Sequence, residues 1–361
     1  MENKKPTPSK DEIEIKFRAI QRAMVMIQLL IAAVIIFPLY MYWMPQWKAY
    51  RQQQAEREAI AQKQQEEKAQ QKAFDALWKG SLGDSTLVSD QDWALIQYGR
   101  ELVTNTAYYL GPRGKVMSIT NGMNCQNCHL EAGTRPWGNN YGAVASTYPK
   151  YRARSGGVED LSKRVNDCME RSLNGKALDK DSREMKAFIA YIEHLGRDVE
   201  KGKKPEGSGI YELELPATAL DTAAGKTVYH AKCASCHQTD GQGLKAEDGI
   251  VYTYPPLWGE HSYNQGAGLY RMSRFAGYVR YNMPQGASFL HPQLTDEEAW
   301  NLAGFVNSQP RPGLDLSADW PKIEEKPFDH PFGPYADPFP ESQHKYGPYG
   351  PIKAFYKKNK K

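Results

Sequence analysis

Four of the five cysteines fall in two copies of one motif, Cys125-Gln-Asn-Cys128-His129 and Cys233-Ala-Ser-Cys236-His237. C-x-x-C-H is the spacing at which two thiols bond the edge of a haem and the adjacent His takes one axial position on the iron. The implied cofactors are therefore two covalently bound c-type haems. Two copies in helical surroundings argue against a metal-only or thioredoxin-like reading, and they leave no thiols for a disulfide framework. Each iron needs a ligand on its other face, and this draws attention to the fifth cysteine, Cys168, in Arg164-Val-Asn-Asp-Cys168-Met-Glu-Arg171-Ser172. A lone Cys is ordinarily a small buried hydrophobe or a free thiol. Cys168 instead keeps polar company in Arg164, Arg171 and Ser172. Positive charge favours the thiolate, the form that binds metals and attacks sulfur. Met169 is its direct rival as a ligand. Neighbours on a helix point about a quarter-turn apart, so only one of the two reaches an iron, and spacing alone leaves the choice open.

For the second haem, Asn282-Met283-Pro284 follows a helical stretch, the usual way in which a small cytochrome presents a methionine. His/Met ligation by His237 and Met283 is the common electron-transfer pairing. Met272 has Phe275 and Val279 at helical spacing and reads as core. His230, His261 and His291 are reserve ligands.

These residues need helices to hold them, and the chain supplies an all-α pattern. Residues 1–22 are polar, carry Lys16, Arg18 and Arg22, and read as a cytoplasmic N-terminus. Residues 23–44 contain no charge and are long enough to cross a bilayer core of about 30 Å, with Tyr40, Tyr42, Trp43 and Trp47 as an aromatic belt at the far end. The length of the run and the lack of a following Ala-x-Ala site favour a retained anchor over a cleaved signal peptide. The positive flank keeps the N-terminus inside. The expected location is the bacterial inner membrane, single-pass, with the haem domains facing the periplasm. Residues 45–79, rich in Gln, Glu, Ala, Lys and Arg, read as a solvated helical spacer rather than a coiled coil, since no apolar heptad is sustained.

A first cytochrome c-like (class I) domain is expected over 80–204. Its helices are predicted at Asp92–Tyr109, Val158–Ser172 and Ser182–Leu195, with a loop at Tyr148–Gly157. A linker spans 205–216. A second cytochrome c domain over 217–310 has helices at Thr218–Lys232, Gly268–Tyr281 and Thr295–Asn307. The two domains read as an internal repeat. Residues 311–361, rich in Pro, Gly and aromatics, read as an extended arm without regular structure, ending in solvated lysines. The net charge of +4 is mild and forms no basic stripe, so nucleic acid is not an expected partner.

The segment Arg164-Val-Asn-Asp-Cys168-Met-Glu-Arg-Ser172-x-Asn-Gly, set between the first motif and a second domain with Asn-Met-Pro, resembles the thiosulfate dehydrogenase family of dihaem cytochromes c. The stretch Asp329 to Phe339 resembles that family's C-terminal arm. The likeness covers roughly 80–350. It implies His129/Cys168 ligation of a catalytic haem and His237/Met283 ligation of a relay haem. It also implies substrate-binding roles for Arg154 and Arg164 and a pocket hydroxyl at Ser172. Some members carry a lysine where Asn282 stands, so a lysine-to-methionine switch is not expected here. The implied reaction interconverts thiosulfate and tetrathionate and passes electrons to a partner such as another cytochrome or a respiratory complex. Arginine's fork of donors suits these small dianions. The other function class is a membrane-tethered electron shuttle with no substrate of its own, and Cys168 with its arginines is the feature that separates the two.

Overall fold

The computed structural model describes residues 9–83 and 88–359. The expectations for residues 1–8 and for the last two lysines lie outside the described residues. The chain divides into two units, Met1–Lys72 and Ala73–Lys361.

Helix α1 spans Lys10–Asp75. Ser9 and Glu12 open it with a reciprocal pair of backbone–side-chain bonds, each 3.3 Å, which satisfies two orphan donors at the helix start. No residue of α1 is buried. Its apolar part is long enough to cross a membrane, and a row of large apolar side chains from Met24 to Trp47 is bare along it. Pro38 and Pro45 lie inside the helix.

In the second unit, α2 (Asp90–Thr104) starts at Ser89, whose hydroxyl accepts from the Asp92 N–H at 3.1 Å. It breaks at Asn105 into the short α3 (Thr106–Leu110), so the single helix expected over Asp92–Tyr109 is two. One-turn segments α4 (Leu130–Gly133) and α5 (Val144–Thr147) follow the first haem motif. Next come two strands, β1 (Lys150–Arg152) and β2 (Gly157–Glu159), paired antiparallel with Lys150 opposite Glu159. This hairpin corrects the expected loop at Tyr148–Gly157 and shortens the expected helix over Val158–Ser172 to α6 (Leu161–Arg171), which the Asp160 carboxylate caps at the Lys163 N–H. Helix α7 (Arg183–Gly196), capped by Ser182, closes the first core.

The second core repeats this plan. It is built by α8 (Thr222–Lys232), the turn α9 (Ala234–His237), α10 (Met272–Asn282) and α11 (Asp296–Val306), with a small β3–β4 hairpin (Leu244–Lys245, Tyr252–Tyr254) between. A capping box at Thr295 and Glu298 starts α11. The repeat shows at its tightest point. A Cβ at Gly99 of α2 would stand 2.0 Å from the Ala187 carbonyl oxygen of α7, and a Cβ at Gly225 of α8 would stand 2.0 Å from that of Asn301 on α11. Both first-and-last helix crossings thus require glycine, because backbone meets backbone there. Each domain's apolar positions converge on its own core, around Leu102, Met185 and Tyr191 in one and Tyr229, Met272 and Leu302 in the other.

The arm is not free of regular structure. It contains α12 (Glu341–Tyr346) and α13 (Gly350–Asn359), and Tyr349 and Ile352 are fully buried in the second core. Burial of these side chains outweighs the local Gly and Pro content.

Candidate functional site

The first haem motif is held from behind. Asn124 accepts from the Ala107 N–H through its side chain at 2.8 Å, while Thr106 Oγ1 accepts from the Cys125 N–H at 2.9 Å. The break at Asn105 starts α3, which carries both Thr106 and Ala107 to the motif. His129 Nδ1–H donates to the Asn139 carbonyl at 2.5 Å, and the ring stacks on Tyr141 with 4.6 Å between centroids. That bond fixes the tautomer and leaves the Nε2 lone pair for a metal. Burial pushes the His129 imidazole down to about 4, which keeps it neutral. In the second domain His237 Nδ1–H donates to the Pro255 carbonyl at 2.8 Å, and burial lowers this imidazole too.

A cavity of about 680 Å³ opens beside the first motif. Cys125, Cys128 and His129 line it, and so do Cys168, Arg164, Arg154 and Ser172. Phe188, Ile192, Leu173 and Val165 supply apolar wall. Two thiols, a His with its metal-binding nitrogen free and a fifth cysteine around an apolar-walled space fit a covalently bound haem. The second set is split between the turn after α8, which carries Cys233, Cys236 and a buried His237, and the C-terminal cap of α10, where Met283 packs half-buried on the second core. Met272 is fully buried inside that core.

Cys168 is on α6 one turn beyond Arg164, whose Nη1 donates to its Sγ at 3.2 Å. The neighbouring Cys168 is the largest reason that Arg164 is held above its ordinary basicity. Met169 also borders the cavity but is 1% exposed and packed into the first core. Arg154 comes from the turn after β1. Its Nη1 donates to the Gly266 carbonyl at 2.6 Å, its guanidinium lies 4.4 Å over the Trp320 ring, and its Nε is 2.9 Å from Asp319 Oδ2. Burial, then the charge of Arg171, lowers Arg154 to about 10. Its Nη2 is buried with no protein partner, a donor left for a ligand. Ser172 is the C-terminal cap of α6.

Several cavity residues were not among those expected. Lys150, Arg152 and Lys204 line it on the hairpin side. The arm lines it too, with Trp320, Glu325 and His330. Asp319 bridges Arg154 and Arg171, the latter at 3.4 Å, and the Trp320 N–H donates to the Arg154 carbonyl at 2.7 Å. The aromatic and acidic residues of the arm were legible; their target, more than a hundred positions away in sequence, was not.

Residues 115–200 match the family model described as "SoxA/TsdA, cytochrome c domain", and residues 222–310 match "Cytochrome c". Two such domains, each with its own C-x-x-C-H, make the protein a dihaem cytochrome c with two covalently bound haems. The chain is 36% identical over 245 residues to a thiosulfate dehydrogenase of Psychrobacter arcticus, covering 66% of this chain and 70% of that one. It is 40% identical over 198 residues to a thiosulfate dehydrogenase of Allochromatium vinosum, covering 54% and 72%. The solved thiosulfate dehydrogenase (TsdBA) of Marichromatium purpuratum in its "as isolated" form superposes with a TM-score of 0.59 at 28% identity, over 66% of this chain and half of that longer one. The chain belongs to the thiosulfate dehydrogenase family.

Proposed function

We propose that the protein joins two thiosulfate ions into tetrathionate, or runs the reverse, at the cavity beside Cys168. The observation that carries this reading is the meeting in one cavity of a haem motif, a cysteine hydrogen-bonded to a half-buried arginine, and a second arginine with an unpartnered donor. Joining two thiosulfates forms one sulfur–sulfur bond and releases two electrons and no proton. Two haems, when bound, take one electron each, which matches that count.

In this reading His129 and Cys168 hold the first iron, and His237 and Met283 hold the second. Arg164 keeps Cys168 as a thiolate, and Arg154 and Ser172 address the oxygens of a dianion. The fork of an arginine makes paired bonds to such oxyanions. The second domain passes electrons on to a partner cytochrome or respiratory complex. The apolar part of α1 anchors the chain once in the bacterial inner membrane, with the haem domains in the periplasm, in keeping with the positive flank of Lys16, Arg18 and Arg22. A shuttle without a substrate is the other class of function, and it would have no use for a cation-lined cavity beside a thiolate.

The test is anaerobic addition of thiosulfate to the purified, oxidised protein. Both haem spectra should reduce, with one tetrathionate formed per two electrons taken up. Oxidised haems that stay oxidised in thiosulfate, together with reduced haems that stay reduced in tetrathionate, would favour the shuttle instead.

A further inference from the structure

The cations around the cavity differ in what answers their charge. Arg154 and Arg171 share Asp319, Arg271 holds Asp329 at 2.6 Å, and Arg274 meets Glu212 at 3.0 Å. Lys150 and Lys204 have no ion-pair partner among the described residues, although both line the cavity. Glu159, opposite Lys150 in the hairpin, has its carboxylate 3.8 Å from Arg152 instead. Lys150 lies 5.1 Å over the Tyr148 ring, half-buried, while Lys204 is exposed. Burial lowers the basicity of Lys150, and the charges of Arg152, Arg164 and Lys204 lower it further. Like charges of Arg152, Arg164 and Lys204 therefore crowd the half-buried Lys150 on one cavity. Such an arrangement costs free energy unless an anion joins it.

We propose that Lys150 and Lys204 form an outer anion seat on this cavity, holding the sulfonate end of a second sulfur dianion while the first lies against Arg164 and Cys168. The inference rests on the thiosulfate reading and deepens it. Tetrathionate carries a sulfonate at each end, with the new bond in the middle. A site that makes it must answer two separated negative charges, and Lys150 and Lys204 add to Arg154 and Arg164 two cations on the same cavity that no carboxylate pairs among the described residues. The haem's own carboxylates are the other anions that these lysines could meet, and the experiment separates the two.

The experiment uses the full-length, haem-loaded protein with Lys150→Gln, Lys204→Gln and the double variant. The double variant should raise the KM for thiosulfate about tenfold with kcat at saturation nearly kept, as loss of cations that meet a dianion weakens its capture. Its kcat/KM should also depend less on ionic strength than that of the wild type. Lys150→Arg should restore the KM. The first haem's spectrum and midpoint potential should stay where they are. Lys204→Gln, exposed and outside the core, carries the test if the Lys150 variants load haem poorly. An unchanged KM in an active double variant, or a shifted midpoint potential with KM unchanged, overturns the seat and leaves the catalytic reading standing. A wild type inert to thiosulfate and tetrathionate sinks both.

Discussion

Arg164 Nη1 donates to Cys168 Sγ at 3.2 Å across one turn of α6. Residues four apart on a helix share a face, so the pairing follows from the sequence spacing once the segment is helical. What the fold adds is partial burial and a place on the cavity. Arg164 lines the cavity with no carboxylate ion-paired to it among the described residues, so its side-chain partner there is the cysteine sulfur. Cys168→Met keeps a sulfur at the same place but removes the thiolate and its nucleophilicity. Both haems should remain attached, because Cys125 and Cys128 are untouched. Only the first haem's spectrum should change, and thiosulfate oxidation should fall by more than about 100-fold, beyond the usual range for an outer-shell partner. Thiosulfate oxidation near the wild-type rate in this variant would remove Cys168 from the chemistry.

Met283 caps α10 at the edge of the second core, and Met272 is sealed inside it. The two methionines therefore make opposite predictions. Met283→Ala should abolish the sulfur-to-iron charge-transfer band of the second haem and lower its potential, since a thioether ligand raises it. Met272→Ala should keep the band and instead cost about 2–5 kcal/mol of stability, as buried methionine-to-alanine changes do. Near-infrared spectra and thermal melts on both variants decide the assignment, and loss of the band in Met272→Ala reverses it.

The two haem motifs, their helices and the fully buried Met272 were legible because each signal is local: a fixed spacing, a 3.6-residue period, a capping Ser182 or Thr295. The hairpin β1–β2 was not, since strands of three residues carry no readable alternation and Gly156-Gly157 looks like a plain breaker. The helices of the arm are hidden in the sequence for a different reason. Gly347, Pro348 and Gly350 lower local helix propensity, but Tyr349 and Ile352 enter the second core, and tertiary burial decides the matter. At the candidate site the chain's acidic counterpart to Arg154, Asp319, lies too far away in sequence for any pattern to pair them.

How the arm is docked can be tested through Asp329. Its carboxylate is fully buried, accepts from Arg271 Nε at 2.9 Å and Nη2 at 2.6 Å, and accepts from the Ser273 N–H at 3.0 Å and from the Ser273 hydroxyl. Burial by itself would raise this carboxyl. The Arg271 charge and the Ser273 bonds outweigh it and hold Asp329 at about 2, below the ordinary 3.8. A carboxyl depressed in the folded state stabilises the fold above its ordinary value, and that stabilisation is lost as the pH falls through the folded one. The contribution is on the order of 2 kcal/mol near neutrality, and it should fade between about pH 4 and 2. Asp329→Asn keeps the shape but leaves the Arg271 charge unanswered, so it should cost about 3–5 kcal/mol at pH 7. It should also free the arm to limited proteolysis between residues 311 and 361. Because the arm carries Asp319 and Trp320 against Arg154, the same variant should raise the KM for thiosulfate while leaving both haems attached. The wild type should lose its protection from protease as the pH is lowered toward 2, whereas the variant, already unprotected, should show little further change over that range. Equal protection of the two proteins at pH 7 would show that the Arg271–Asp329 pair does not hold the arm in place.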